Sequence, residues 1–245
     1  MQGIIKTTLL GLFFGTFGTT IGGIIGLFFN KTSNKLLSIV LSFAAGLMTS
    51  VVCFELIPEA LNASDFSNVI YGILFGIITM IICDIAVKKK INKKNSDKIN
   101  SLLKTGIIVS VGLAIHNIPE GLAIGSGFEA SLKLGYSLAI AIALHDVPEG
   151  IAMAVPMRVG GMKASKVLIY VILSGITTAI GALLGSAIGA ISKQIIAICL
   201  AFAAGAMLYI VSGELTPEAN KLYSGKISTL GNIAGFIIGI VVSKI

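Results

Sequence analysis

Two short motifs contain both histidines of the 245-residue chain. The first, Ala-Ile-His-Asn-Ile-Pro-Glu-Gly, covers 114–121, and the second, Ala-Leu-His-Asp-Val-Pro-Glu-Gly, covers 143–150, an offset of 29 residues. In each motif a histidine precedes a glutamate by four residues, so both side chains project from one face of a helical turn. An imidazole and a carboxylate at this spacing supply half of a transition-metal site. The two predicted pairs are His116 with Glu120 and His145 with Glu149.

The residue after each histidine offers a further oxygen ligand. Asn117 and Asp146 point about 100° around the helix from their histidines. A second cluster of oxygen ligands could therefore form beside the first. Two adjacent cation sites are geometrically feasible.

Both motifs lie inside apolar runs that are long enough to cross a membrane, roughly 105–126 and 134–157. Each histidine is eleven residues from the start of its run, or about 16 Å at about 1.5 Å per residue. That is close to half of a hydrocarbon core about 30 Å thick, so the ligands are predicted to lie near the midplane.

A proline three residues after each histidine leaves a backbone carbonyl without its helical donor. Pro119 cannot donate to the carbonyl of Ile115, and Pro148 cannot donate to that of Leu144. Such carbonyls are tolerated in a membrane where they face protein or a wet cavity, which favours a lined pathway. The alternative is that these polar residues only hold helices together.

Five acidic residues fall deep in apolar runs, at a cost of about 2.5 to 3.5 kcal/mol each if left unpaired. They are Glu55, Glu120, Asp146, Glu149 and Glu214. The runs offer almost no lysine or arginine as partners, so protonation or a bound cation has to compensate. A cation pathway accounts for this cost.

The composition defines the class of protein. Hydrophobic residues make up 55% of the chain, charged residues 12%, and the mean hydropathy is +0.98, far more apolar than a soluble domain. We expect an all-α integral membrane protein that forms a single polytopic domain over 1–245. The net charge of +7 comes from basic residues between the apolar runs, without interleaved aromatic residues, so nucleic-acid binding is not expected. The isolated Cys53, Cys83 and Cys199 are interpreted as small core residues.

Eight apolar runs predict eight transmembrane helices. They cover approximately 5–29, 36–61, 68–87, 105–126, 134–157, 165–190, 194–219 and 227–243. With an extracytoplasmic N-terminus, fourteen of the eighteen lysine and arginine residues fall on the cytoplasmic side, as the positive-inside rule requires. Both termini are therefore predicted to be extracytoplasmic, in a plasma or inner membrane, with the lysine-rich segment 88–104 as a solvated cytoplasmic loop.

An internal repeat relates the two ends of the chain at an offset of 159 residues. Between 43–60 and 202–219, eleven of eighteen positions are identical, including the two Glu-Leu-x-Pro-Glu-Ala segments. Spans 1 to 3, about 5–87, are predicted to recur as spans 6 to 8, about 165–243, in the opposite orientation. The predicted architecture is 3+2+3, an inverted repeat around spans 4 and 5, which carry the metal motifs over 105–157.

Glycines recur at four-residue spacing in two spans of the second repeat. They are Gly181, Gly185 and Gly189, and Gly231, Gly235 and Gly239. This spacing permits close helix contact, either within the protein or between protomers. We interpret these glycines as packing surfaces, and a homodimer is one option.

These features together resemble the ZIP (zinc- and iron-regulated transporter-like) family of divalent metal transporters, in particular its short prokaryotic members. The resemblance covers nearly the whole chain, and its most specific part is the pair His-Asn-x-Pro-Glu-Gly and His-Asp-x-Pro-Glu-Gly in consecutive spans. It implies a primary site from His116, Glu120, His145 and Glu149, with Met48 of span 2 close by. It also implies a neighbouring site from Asn117, Asp146, Glu120 and Glu149.

The chain departs from the family pattern at two positions. Members with two complete sites usually have a glutamate in span 6 at the position of Thr178, so the second site lacks its outer carboxylate here. Some relatives have a histidine before the glutamate equivalent to Glu214, where this chain has Gly213. Glu55 and Glu214, together with Met48 and Thr178, are additional candidates for the metal pathway.

Two imidazoles and two carboxylates form a borderline ligand set that suits Zn²⁺ and also Fe²⁺, Mn²⁺ or Cd²⁺, whereas Mg²⁺ and Ca²⁺ prefer oxygen alone. The expected function is transport of such ions, zinc first, into the cytoplasm. An inside-negative potential favours this direction by about 2.3 kcal/mol per charge per 100 mV. The metal is cargo, so no cofactor is expected, and the expected partners are divalent metal ions and the lipid bilayer.

Two other functions remain open from the sequence. An intramembrane metallohydrolase would bind catalytic zinc through histidine and glutamate, but such enzymes favour His-Glu-x-x-His on one helix, which this chain lacks. A proton-linked carrier of a non-metal solute would explain the acidic residues but not the duplicated histidines. We therefore expect a transporter and not an enzyme.

Overall fold

The computed structural model describes residues 2–28, 33–93, 101–223 and 225–243, and within these ranges the regular structure is helical throughout. Ten α-helices and two π-helical turns follow one another in the described residues. They are α1 Gln2–Leu27, α2 Asn34–Val51, π1 Val52–Leu56, α3 Ile57–Ala63, α4 Phe66–Lys93, α5 Ser101–Ala130, α6 Leu132–Val159, α7 Ala164–Gly189, α8 Lys193–Ile210, π2 Val211–Leu215, α9 Thr216–Leu222 and α10 Lys226–Val242. The two metal motifs lie on α5 and α6.

Six helical segments in the described part of the chain are long and apolar enough to cross a membrane, so the protein is a multi-pass membrane protein. Two of these six are the continuous segments α2–π1–α3 and α8–π2–α9, while α10 is a shorter apolar helix. Each of the eight predicted apolar runs corresponds to one helical segment.

The lysine-rich segment 88–104 was predicted to be a loop, but both of its ends are helical. α4 continues to Lys93 and α5 begins at Ser101, so the prediction of a loop is wrong for both ends of the segment. Lysine is a good helix former and lets both helices extend beyond their apolar runs. The central part, 94–100, lies outside the described residues.

The two π-helical turns interrupt long helices, and each inserts one extra residue per turn. Each contains a glutamate, Glu55 in π1 and Glu214 in π2. A proline follows in the first turn of the next helix, Pro58 or Pro217, where a missing N–H is tolerated. The repeated Glu-Leu-x-Pro-Glu-Ala sequence therefore marks a repeated irregularity of the backbone.

The 159-residue repeat is also visible in helix boundaries and contacts. α2, π1 and α3 begin at 34, 52 and 57, and α8, π2 and α9 begin at 193, 211 and 216. Gly46 of α2 lies against the carbonyl of Asn232 on α10, and the equivalent Gly205 of α8 lies against that of Ile73 on α4. The two halves therefore fold and pack alike.

A matching pair of contacts surrounds the metal motifs. A Cβ on Gly121 of α5 would overlap the carbonyl oxygen of Thr178 on α7, and a Cβ on Gly150 of α6 would overlap that of Thr19 on α1. The two glycines are 29 residues apart and the two threonines 159. One approximate two-fold relation therefore exchanges α5 with α6 and α1 with α7.

The predicted packing role of the glycine series is confirmed within the chain. Gly181 and Gly185 of α7 lie against the backbone of α5 at Ile118 and Leu122, and Gly235 of α10 lies against that of α2 at Phe43. Any side chain at these positions would push a neighbouring backbone away. The glycines thus let α5 and α7 approach to backbone contact.

The helix that carries the second motif is enclosed by its neighbours. In the most apolar part of Leu132–Val159, 67% of the residues are buried inside the protein. In the most apolar part of Phe66–Ile85 on α4, only 22% are buried. Phe75 and Ile82 of α4 are among the exposed apolar side chains, as a surface facing lipid requires. α4 is therefore peripheral and α6 central.

The cysteines differ in their surroundings. Cys199 is buried, as the interpretation as core residues requires, and Cys83 is partly exposed. The interpretation is wrong for Cys53, which is exposed. An apolar helix facing lipid carries the same residue types on its outer face as on its inner face, so burial could not be inferred from the sequence there.

Candidate metal centre

α5 and α6 form an antiparallel hairpin joined by the single residue Ser131. Close to the turn, a Cβ on Gly127 would contact Gly135 across the hairpin. Both helices continue through their internal prolines, Pro119 and Pro148. The histidine and glutamate of each motif therefore stay on one helical face, and the hairpin brings the two faces together.

Both imidazoles converge on the carboxylates. His116 Nε2 is 2.9 Å from Glu120 Oε1 and 3.3 Å from Glu149 Oε1. His145 Nε2 is 2.8 Å from the same Glu120 Oε1 and 3.6 Å from Asp146 Oδ1. The structure thus brings together the four predicted primary ligands and Asp146.

These separations lie close to those between the ligands of a metal ion. Two ligand atoms about 2.0 to 2.1 Å from a tetrahedral zinc ion are about 3.3 Å apart. Potential ligand atoms within 4.8 Å of one another form two groups, one of His116, Glu120 and Glu149 and one of Glu120, His145 and Asp146. Glu120 belongs to both groups, so the two are parts of one connected cluster.

The cluster is sealed from solvent. His116 is 1% exposed, and Glu120, His145, Asp146 and Glu149 are 0% exposed. Glu120 Oε2, His145 Nδ1 and both oxygens of Asp146 lack a hydrogen-bond partner. Within the described residues, no lysine or arginine lies within ion-pairing distance of Glu120 or Asp146. Because buried carboxylates without a cationic partner are costly, this donor set fits a bound cation.

Further polar atoms lie beside this cluster. Asn117 Nδ2 donates to the backbone carbonyl of Ser174 on α7, 3.0 Å away, while its Oδ1 has no hydrogen-bond partner. Thr178, one turn after Ser174, is fully buried, and its hydroxyl also lacks a partner. On the other side, Asp146 lies where a Cβ on Gly18 of α1 would contact it. The predicted second cluster is thus bordered by α1 and α7.

The other three additional candidates lie on α2 and on the two π-helical turns. Met48 of α2 is fully buried in the main apolar core, and α2 packs against α6. Glu55 of π1 is 5% exposed and accepts a hydrogen bond from Ser137 Oγ of α6 at 2.9 Å. Glu214 occupies the equivalent position in π2, and its side chain lies outside the described residues.

Sequence reasoning missed the two serines that orient site residues. Ser174 accepts from Asn117 through its backbone carbonyl, and Ser137 donates to Glu55. A backbone acceptor has no sequence signature. Ser137 has a weak one, because it is a polar residue at the edge of an apolar run, two turns before a metal-motif histidine.

Comparison with known proteins identifies the family. A family model described as ZIP zinc transporter matches residues 86–244. A relative from Escherichia coli O127:H6, named zinc transporter ZupT, is 31% identical over 229 residues, which cover 90% of this chain and 89% of the relative. The chain belongs to the ZIP family.

A second ZIP relative, from Xenopus tropicalis and named zinc transporter ZIP11, is 41% identical over 139 residues, which cover 54% of this chain and 41% of that relative. As a ZIP protein, the chain is a transporter of divalent metal ions and not an enzyme. An intramembrane metallohydrolase and a proton-linked carrier of a non-metal solute are therefore not favoured.

Proposed function

We propose that this ZIP protein carries zinc into the cytoplasm through the histidine and glutamate residues that α5 and α6 share. The convergence of both imidazoles on one buried carboxylate supports the proposal. Glu120 Oε1 is 2.9 Å from His116 Nε2 and 2.8 Å from His145 Nε2. These separations are slightly below the about 3.3 Å expected around tetrahedral zinc, so a small outward shift of the side chains would admit the ion.

We further propose two unequal sites. The primary ligands are His116, Glu120, His145 and Glu149. The second site uses Asn117 and Asp146 with a share of Glu120 and Glu149. Asn117 Oδ1, Glu120 Oε2 and both oxygens of Asp146 have no hydrogen-bond partner, which supports this role. Because Thr178 supplies a hydroxyl where family members with two complete sites usually have a glutamate, the second site binds more weakly. Met48, Glu55 and Glu214 are proposed to line the pathway.

The ligand set ranks the candidate ions. Imidazole with carboxylate suits zinc and also iron(II), manganese(II) and cadmium, which are proposed as secondary substrates. Magnesium and calcium prefer a shell of oxygen ligands alone. Transport of a divalent ion down an inside-negative potential gains about 4.6 kcal/mol per 100 mV, so import requires no obligatory partner ion.

The proposed membrane arrangement has eight spans in a 3+2+3 order, with repeats of about 5–87 and 165–243 in opposite orientations. The matching helix boundaries and the exchange of α5 with α6 support it. α10, with 17 residues, reaches the lower end of the length that crosses a bilayer. The fourteen basic residues assigned to one side support extracytoplasmic termini in a plasma or inner membrane. Lipid, and as a further proposal a second copy of the chain, covers the apolar outer surface.

Metal uptake by the purified protein tests this function. Proteoliposomes with an inside-negative potential should accumulate zinc and should accumulate little magnesium. Glu149→Ala and His116→Ala should abolish zinc uptake at equal protein content. Glu218→Ala is the matched control, because Glu218 is exposed and pairs with Lys221 at 3.4 Å. Near-normal zinc flux in folded Glu149→Ala would contradict the ligand assignment.

A further inference from the structure

We propose that Glu55 is a cation-binding station on the extracytoplasmic side of the midplane site, which holds the divalent ion before it reaches the histidines. This inference deepens the proposed function and rests on it. Glu55 is 5% exposed, and its Oε1 accepts a hydrogen bond from Ser137 Oγ at 2.9 Å. Its buried Oε2 has no hydrogen-bond partner. Ser137 thus fixes the orientation of the carboxylate, and the second oxygen is left to bind a cation.

The station lies on the helix that leads to the histidines. Ser137 precedes His145 by eight residues on α6, a rise of about 12 Å, and Ala141 stands midway on the same i,i+4 row. Ser137 is partly exposed and lies five residues after the start of α6, so the station is near one end of that helix and is not fully sealed. Leu138 and Ile142 beside this row are fully buried in the main apolar core, between the station and the histidines along α6.

The repeat shows what is particular to this end of the molecule. The equivalent of Glu55 at an offset of 159 is Glu214, and the equivalent of Ser137 at an offset of 29 is Ile108. The serine that orients Glu55 is therefore replaced by an apolar residue at the equivalent position 108. The two π-helical turns share a backbone but offer different chemistry.

The next glutamate in each repeat shows a second difference. Glu218 of α9 pairs with Lys221, with 3.4 Å between Oε2 and Nζ. Its equivalent is Glu59, and the equivalent of Lys221 is Asn62. The lysine that pairs with Glu218 in the second repeat is thus replaced by a neutral asparagine beside Glu59 in the first. This asymmetry suits loading at Glu55 and release at the opposite end.

The ligands at the station define what it binds. One carboxylate oxygen, a hydroxyl and water form a small set of oxygen ligands, which holds a hydrated divalent cation loosely and distinguishes zinc poorly from magnesium. The imidazoles of His116 and His145 at the midplane site then select zinc over magnesium. External magnesium should therefore compete with zinc at the station without being transported.

The test compares full-length variants in proteoliposomes by initial zinc uptake over a range of external zinc, with and without millimolar magnesium chloride. Because a fixed charge enriches cations locally by tenfold or more, Glu55→Gln should raise KM about tenfold, keep Vmax within about twofold and abolish inhibition by magnesium. Ser137→Ala should raise KM by about threefold, since the carboxylate stays but loses its orientation. Calorimetry on the detergent-solubilised protein should show an unchanged zinc affinity of the midplane site in both variants.

Glu59→Gln is the matched control, because it removes an equal charge one turn away. An unchanged KM in Glu55→Gln, or an equal rise in Glu59→Gln, would overturn the station and leave the transport proposal intact. Absence of zinc uptake by the native protein would instead refute the proposed function. If melting shows that Glu55→Gln does not fold, Ser137→Ala decides the question, and native KM with native magnesium inhibition in that variant overturns the station.

Discussion

Replacement of Glu120 by glutamine should remove most of the zinc affinity. The substitution keeps the size of the side chain but replaces a charged oxygen that lies 2.9 Å and 2.8 Å from the two imidazole Nε2 atoms. Loss of a residue that only supports a ligand typically costs 10-fold to 100-fold in metal affinity. Glu120 is at ligand distance itself, so we expect a loss of about 100-fold or more, equivalent to about 2.8 kcal/mol.

Zinc calorimetry on the detergent-solubilised protein measures this loss. Glu129→Gln on the same helix is the matched control, because Glu129 is nine residues away, about 14 Å, and accepts a hydrogen bond from Ser186 that glutamine can also accept. The control should retain native affinity. A Glu120→Gln protein that melts like the native one and binds zinc within about threefold of it would refute the assignment of Glu120 as a ligand.

Three further results are expected. Acidification from pH 7 to pH 5.5 should weaken zinc binding, because protons compete with the metal ion for the imidazole nitrogens; stronger binding at pH 5.5 in calorimetry would contradict histidine ligands. Native protein should hold one tight zinc ion, and Thr178→Glu should raise occupancy of a second, as measured by stoichiometry or anomalous scattering. Two equally tight ions in the native protein, with no gain on substitution, would contradict the position assigned to Thr178. Gly181→Ala should destabilise the protein by about 1 to 3 kcal/mol, because its Cβ would overlap the backbone of α5 at Ile118. Gly112→Ala, which meets open space, should not lower the melting temperature, and equal melting of the two variants would count against the backbone contact.

The helices were predictable because a membrane-spanning helix requires a long run of apolar residues, which is visible in the sequence. All eight runs correspond to helical segments, and the offset of 159 residues recurs in the boundaries of α2 and α8. The π-helical turns were not predictable, because whether a helix accommodates an extra residue in one turn depends on how it packs against neighbouring helices. The extension of α4 to Lys93 was missed because apolar length marks the membrane-facing part of a helix and not its end.

The proximity of the candidate ligands was predictable because histidine and glutamate four residues apart share a face in any helix. The contacts of His116 with Glu120 follow from this spacing alone, whereas that of His145 with Glu120 depends on the hairpin. Side chains that bond across 57 or more residues, such as Asn117 to Ser174, could not be found by local pattern. Which oxygens are left without partners depends on these distant contacts.

The single residue between α5 and α6 limits how the bound ion can leave. The proposed primary ligands lie on two helices that Ser131 joins and that stay in contact along their length. The two helices cannot separate at the site without losing that contact. We therefore expect the ligands of both helices to be exposed together, to one side of the membrane at a time. In that case, release of the ion would proceed by replacement of the proposed ligands with water or protons. The rate of transport would then be set by how quickly water reaches the ligand cluster, and not by how far α5 and α6 move apart.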